Sequence, residues 1–165
     1  MKKNVLFLAG ILAVALTGFF STACELEEET EAPYGAFELR VFELTNVERV
    51  KEGLPRLKWD NGLAAVARAH SEDMAQNGYF AHTSPDGSST LISRLAKAGI
   101  KYSSAAENIC GGRSTPEATV KAWMDSPGHK ANILDGALTH LGVGVAYLQS
   151  SPLRYYATQL FTVPK

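Results

Sequence analysis

The chain has 165 residues, 16 basic and 17 acidic, with a formal net charge of −1 at pH 7. This near balance provides no electrostatic footprint for a nucleic-acid backbone. Two cysteines are too few for the disulfide framework of a small secreted domain.

Lys2 and Lys3 precede an apolar run from Val5 to Phe20, and the small residues Ser21, Thr22 and Ala23 follow. A basic start, an apolar middle and a small-residue cleavage site make residues 1–23 a secretory signal. The run is short for a membrane span and carries Gly10 and Gly18 inside it. Ser21-Thr22-Ala23-Cys24 resembles a bacterial lipobox, with Ser21 where leucine is usual. Cys24 is therefore expected to be the lipidated first residue of the mature chain, anchored to a membrane by its acyl groups. Plain cleavage after Ala23, giving a soluble secreted form, is the alternative. Glu25, Glu27, Glu28, Glu29 and Glu31 form a solvated acidic tether over residues 24–36, closed by Pro33 and Gly35.

Residues 37–165 are a normal length for one domain with its own core. Setting aside the two leading lysines and the five tether glutamates leaves 14 basic and 12 acidic residues there. No internal repeat, glycine-rich phosphate loop or Cys-x-x-Cys pair is present. With Cys24 lipidated, Cys110 has no partner in the chain and reads as a small buried apolar residue rather than a catalytic thiol.

Phe37, Val41, Leu44, Val47 and Val50 recur at three- and four-residue steps, which predicts an amphipathic helix ending near Gly53. A short extended piece runs from Leu54 to Trp59. Asp60 is placed to cap a second helix with the stripe Leu63, Val66, Ala67, His70 and Met74, stopped by Gly78. Residues 82–89 are loop by composition. A third helix covers Ser89 to Ala98, with Leu91, Ile92 and Leu95 inward and Gly99 as stop. Ser114 and Glu117 suggest a capping box for a fourth helix, with Pro116 in its first turn. Pro127 then starts a further helical turn carrying His129 and Ile133.

The period changes near residue 141. Leu141, Val143, Val145 and Tyr147 alternate with Gly142, Gly144 and Ala146, a strand with one almost bare face on which other backbone can pack closely. Tyr155 to Val163 is a second strand, joined to the first as a hairpin. A third comes from Ile100–Tyr102 or Asn108–Cys110. Helices first and strands late make the class α+β, with helices packed on a small antiparallel sheet.

Chemistry-bearing residues sit beside turns. They lie in Tyr79-Phe80-Ala81-His82-Thr83-Ser84-Pro85-Asp86-Gly87, in Ala106-Glu107-Asn108-Ile109, and in Trp123-Met124-Asp125-Ser126-Pro127-Gly128-His129. Two imidazoles and a carboxylate in one cleft can bind a divalent metal or hold a water and move its proton. Asn108 and Asn132 are expected to brace loops through backbone bonds. His70, on an apolar stripe, reads as a core histidine. Ser84 and Ser126 show no base held by a third group, so a serine nucleophile is disfavoured.

The order and wording of these motifs resemble the CAP superfamily of cysteine-rich secretory, antigen-five and pathogenesis-related proteins, in its bacterial extracytoplasmic branch. Asn46-x-x-Arg49, Leu57-x-Trp59, Ala69-His70-Ser71-x-Asp73-Met74, Phe80-Ala81-His82-Thr83-Ser84-Pro85-Asp86-Gly87, Glu107-Asn108-Ile109, Ser126-Pro127-Gly128-His129-x-x-Asn132-Ile133-Leu134 and Leu141-Gly142-Val143-Gly144 carry the resemblance across residues 37–163. It implies an α-β-α sandwich with a central cleft. It also implies that His82, Glu107 and His129 match three of the four cleft residues held by many members. Ala106 stands where the family's Gly-Glu-Asn pattern has glycine. Ser126 stands where plant and animal members carry the fourth residue, a glutamate, with Asp125 beside it as a substitute.

The leading expectation is an extracytoplasmic, non-enzymatic binding module. Its cleft would hold Zn²⁺ or another divalent ion on His82 and His129, and its ligand would be a lipid, an envelope fragment or a protein. The alternative is a metal-assisted hydrolase acting on a peptide or cell-envelope substrate, with Glu107 as general base.

Overall fold

The computed structural model describes residues 35–165. The signal and nearly all of the tether, including Cys24, lie outside the described residues. Helix α1 (Gly35–Lys51) begins within the last two residues assigned to the tether. It is followed by strand β1 (Lys58–Trp59), helix α2 (Asn61–Asn77) and helix α3 (Leu91–Lys97). Strand β2 (Tyr102–Gly111), helices α4 (Pro116–Met124) and α5 (Pro127–Ile133), and strands β3 (His140–Tyr147) and β4 (Tyr155–Pro164) complete the chain.

The sheet has the order β1-β3-β4-β2. Strands β3, β4 and β2 are antiparallel, as expected, while the two-residue β1 runs parallel to β3 through Lys58–His140 and Trp59–Leu141. The third strand is one ten-residue element, in place of the two short alternatives. Its edge position matters below.

Helix α2 forms where its sequence says it should. The Asp60 side chain accepts from the Leu63 N–H, and Gly78 adopts φ 67° while its N–H closes on the Met74 carbonyl. The inward stripe is Leu63, Val66, Ala67, His70 and Met74. This helix lies almost directly on β3. A Cβ at Gly142 would stand 2.1 Å from the Ala64 nitrogen, and one at Gly144 1.9 Å from the Arg68 nitrogen. The bare face of β3 is thus the seat of the α2 backbone.

Alternation along the strands makes two cores. Leu63, Val66, Ala67, Leu95 and Leu160 join α2 and α3 to one face of the sheet, with Met74, Ile109, Ala146 and Tyr156 extending it. On the other face Val41, Val120, Trp123, Ile133, Leu141, Val143, Val145 and Phe161 bury α1, α4 and α5. Three layers result, helices on both sides of one sheet, in the α+β class. The Trp123 Nε1–H donates to the Ile109 carbonyl at 3.0 Å, so the largest buried ring is also hydrogen-bonded.

Three local expectations are corrected. In α1 the apolar stripe does not face inward throughout: Val47 and Val50 are exposed, whereas Glu38, Thr45, Asn46 and Arg49 are buried. Each of these polar groups has a distant partner. Glu38 holds Arg68 and accepts from the Val145 N–H, and Asn46 exchanges two bonds with Leu57. Hydrogen-bonded polar groups can occupy a buried face that hydropathy alone would assign to aliphatic residues. In α3, Ile92 is exposed and Leu95 alone is fully buried; the helix has only two turns, Leu91–Lys97, and is capped by Thr90. In α4 the cap is Thr115, whose side chain accepts from Ala118, so the Ser114–Glu117 box does not form.

Candidate functional site

The site lies along β2, the edge strand of the sheet. Glu107 points to the α2–α3 side with its neighbour Ile109, and Asn108 points to the α1–α4–α5 side. Elements from both helical layers therefore meet at one strand edge. His82 comes from the loop after α2, Arg94 from α3, and His129 and Asn132 from α5.

Glu107 is the hub. Its side chain is only 3 % exposed, yet both oxygens are satisfied. Oε1 lies 2.8 Å from His82 Nδ1, and Oε2 accepts from Arg94 Nη2 at 2.5 Å. A carboxylate only accepts, so the His82 ring donates through Nδ1 and leaves Nε2 free. The ring itself is 56 % exposed. Arg94 Nη1 also donates to the backbone carbonyls of His82 (3.2 Å) and Ser89 (3.1 Å), fixing the loop that presents the histidine.

The other side is braced by amides. Asn108 Nδ2 donates to the His129 carbonyl at 3.1 Å and to Gln159 Oε1 at 3.2 Å. Asn132 Nδ2 donates to the Glu107 carbonyl at 3.3 Å and to Asn108 Oδ1 at 2.8 Å. Gln159 in turn donates to Thr45 on α1. Both asparagines brace backbone, as their residue type suggested. His129 is held below the ordinary imidazole pKa, first by burial and then by the positive charge of His82. The Asn108 bond to the His129 carbonyl ties the start of α5 to the strand that carries Glu107.

Asp125 and Ser126 do not join this set. Asp125 caps the end of α4 and pairs with Lys121 at 2.7 Å on an exposed surface. Ser126 is the N-cap of α5 but makes no side-chain capping bond. Ser84 binds Asp86, which leaves it without a histidine base. Cys110 is buried, and burial pushes its thiol pKa up, away from thiolate chemistry.

Arg94 is the functional residue that sequence reading misses. On a two-turn helix it reads as part of a polar face. The available signal is indirect: a carboxylate expected in a buried strand needs a cation, and Arg94 lies on the helix immediately before β2. Its removal has a measurable cost. Arg94→Met is expected to destabilise the fold by about 3 kcal/mol, because it leaves Glu107 buried with one shared partner. Urea unfolding of both proteins measures this, and a difference under about 0.5 kcal/mol, the ordinary range for a surface change, would show that the pair carries no weight.

A family model described as CAP, the cysteine-rich secretory protein family, matches residues 42–161. The chain belongs to the CAP family. Among CAP relatives, it is 45 % identical over 135 residues to the uncharacterized protein YkwD of Bacillus subtilis, covering 81 % of this chain and 51 % of that one. A crystal structure of an extracellular, SCP-domain-containing protein of Bacillus anthracis superposes with a TM-score of 0.69 at 38 % identity, over 78 % of this chain and 40 % of the other. An outer surface protein of Borrelia burgdorferi shares the fold, with a TM-score of 0.67 at 23 % identity, 76 % of this chain and 90 % of that chain. The chain spans about half the length of YkwD. The α-β-α arrangement expected of a CAP domain is the one observed.

Proposed function

We propose that this CAP-domain protein is an extracytoplasmic binding module, tethered through a lipid on Cys24, whose cleft is built on His82, Glu107 and His129. The signal-like start supports export, as does its similarity to a Bacillus anthracis protein described as extracellular. The observation that carries binding over hydrolysis is the double engagement of Glu107. Arg94 occupies Oε2 and His82 occupies Oε1. Each oxygen keeps a second lone pair, but the carboxylate is 3 % exposed and already anchors two donors, so it is better placed to orient His82 than to meet an attacking water, the step the hydrolase reading assigns to it. The ligand would be a lipid, an envelope fragment or a protein met outside the membrane.

Zn²⁺ or a similar divalent ion is part of this reading, and its fit is limited. Among the described residues no group of three His, Cys, Asp or Glu side chains is placed to hold a metal. Two imidazoles remain. The His82 Nδ1–H···Glu107 bond is the outer-shell arrangement that orients a ligating histidine and leaves Nε2 available. His82 and His129 would hold the ion, with water or the ligand completing its shell; the bound cation would supply an electrophile for an anionic group. Glu107 would orient the site and not ligate.

Binding by two histidines is expected to be weak, orders of magnitude below a four-ligand zinc site. It should be lost in the double variant His82→Ala, His129→Ala. It should also weaken as pH falls below about 6.5, since protonated imidazole cannot ligate. The depressed pKa of His129 keeps that ring neutral further into acid than an ordinary histidine. Calorimetry with ZnCl₂ at pH 7.5 and 5.5 on wild type and double variant is the test. Equal binding by both proteins removes the metal from this cleft.

A further inference from the structure

A concavity lies beside the cleft, between the outer face of α2, the loop after it and α3. It encloses about 1040 Å³, and neither His82, Glu107 nor His129 lines it. One wall is the stripe Gly62, Ala65 and Ala69 on α2, small and apolar. The facing wall carries the hydroxyls of Ser84, Ser88, Ser89 and Ser93. Asp73, Asn77 and Tyr79 close one end, with the Tyr79 hydroxyl donating to Asp73 and the Asn77 amide donating to Asp73 at 2.7 Å.

Two side chains on this wall are left with unused hydrogen-bonding capacity. His70 is 1 % exposed, and neither ring nitrogen has a hydrogen-bond partner. The Ala81 backbone lies near enough to favour its charged form, but burial outweighs this and holds its pKa below the usual range. Arg94 Nε is also buried without a partner, although its terminal nitrogens are engaged by Glu107, His82 and Ser89. A neutral imidazole offers one donor and one acceptor. With one imidazole nitrogen near the Ala81 backbone, the unmet set is one donor, Arg94 Nε–H, and one acceptor, the other imidazole nitrogen. Native interiors rarely leave such groups unpaired, and each instance calls for an explanation.

We infer that this groove is a second ligand site, one for an N-acetylated oligosaccharide. An acetamide carries a carbonyl that can accept from Arg94 Nε–H and an N–H that can donate to the open imidazole nitrogen, the complement of the unmet set. The serine wall matches ring hydroxyls, and the alanine stripe matches the C–H face of a sugar ring. The volume is at the upper end for a ligand cleft, with room for about two or three sugar rings. His70 lines the groove but is 1 % exposed, so a seated acetamide reaches its nitrogen only as the ring turns toward the groove. The groove and the His82 cleft share Arg94 as the wall between them.

The probe is the N-acetylglucosamine trimer, titrated into the ¹⁵N-labelled domain and followed by amide and histidine-ring shifts. Saturable shifts are expected along residues 62–77 and 84–97 and on the His70 ring. Ala69→Trp fills the groove from an exposed position, so it should fold and weaken binding at least tenfold. Ile92→Ala, exposed on α3 and outside the groove, should bind as wild type does. Cellotriose, which lacks the acetamide, should bind at least tenfold more weakly than the trimer. Absence of saturable binding, equal binding by Ala69→Trp, loss of binding in Ile92→Ala, or equal affinity for cellotriose would each overturn the assignment.

Discussion

Gly144→Ala is expected to abolish the native fold through a single added methyl group. The added Cβ would lie 1.9 Å from the Arg68 nitrogen and 2.3 Å from the Ala67 carbonyl carbon and the Arg68 Cα. All three are backbone or Cα atoms of α2, so no rotamer change relieves the clash. The helix would have to lift from β3 by more than an ångström. That would open the contacts of Leu63, Ala67 and Met74 with the sheet and break the Ser71 Oγ–H bond to the Gly144 carbonyl at 3.0 Å. Overpacking that side chains can absorb costs about 1–3 kcal/mol. Here the backbone cannot absorb it, and a cost above about 4 kcal/mol removes most of the stability of a domain this size. Gly128→Ala is the control. It lies in α5 with open space around it and an ordinary φ, and should be neutral or stabilising by up to about 1 kcal/mol. Circular dichroism and urea unfolding of the three proteins decide the matter. A Gly144→Ala variant that unfolds cooperatively within about 1 kcal/mol of wild type, the scale of an ordinary point change, would show that α2 does not sit as described.

That prediction rests on a feature visible before any coordinates. Glycine at alternate positions of a strand announces close backbone approach, and the capping residues of α2 announce its ends. These are local signals, and local signals survive folding. What stayed hidden depends on partners far away in sequence. Val47 and Val50 look like core and are exposed, because Asn46 and Arg49 take the inner face with partners on other elements. Hydropathy ranks those polar residues outward, since nothing in a periodic pattern shows which of them will find an acceptor. The site divides in the same way. The motif residues His82 and Glu107 do come together, within hydrogen-bonding distance. Arg94, which fixes both, lies outside the motifs. Asp125, chosen for its place beside Ser126, turns to Lys121 because α4 ends there and leaves it at the surface.

Arg49→Met is expected to cost about 4 kcal/mol and to loosen the cleft from behind. The guanidinium is fully buried, and no carboxylate pairs with it directly. Instead it donates to four carbonyls: Pro55 (2.9 Å), Ile133 (2.8 Å), Asp135 (2.8 Å) and Leu138 (3.2 Å). Burial lowers its pKa, opposed by the charge of Asp135. Methionine fills similar space but leaves the Pro55, Ile133 and Leu138 carbonyls without a donor, while that of Asp135 keeps the Leu138 N–H. Each unmet group costs about 1–3 kcal/mol, and water entering beside some of them keeps the total below the sum. Arg49→Lys should be intermediate, because an ammonium is a point charge with three donors and cannot span a fork of carbonyls. The consequence for function follows from where those carbonyls are. Ile133 ends α5, the helix that carries His129 and Asn132, and Asn132 is tied to Glu107 and Asn108. Freeing the chain over 133–138 therefore frees the side of the cleft opposite His82. Hydrogen exchange should quicken at 133–140 in the lysine variant before it quickens in α2, and zinc binding should weaken although no cleft side chain has changed. Unfolding of Arg49→Met at the wild-type urea midpoint would show that the four bonds are replaceable by water. Unchanged zinc binding in a destabilised Arg49→Lys would show that α5 is held by its own packing through Ile133.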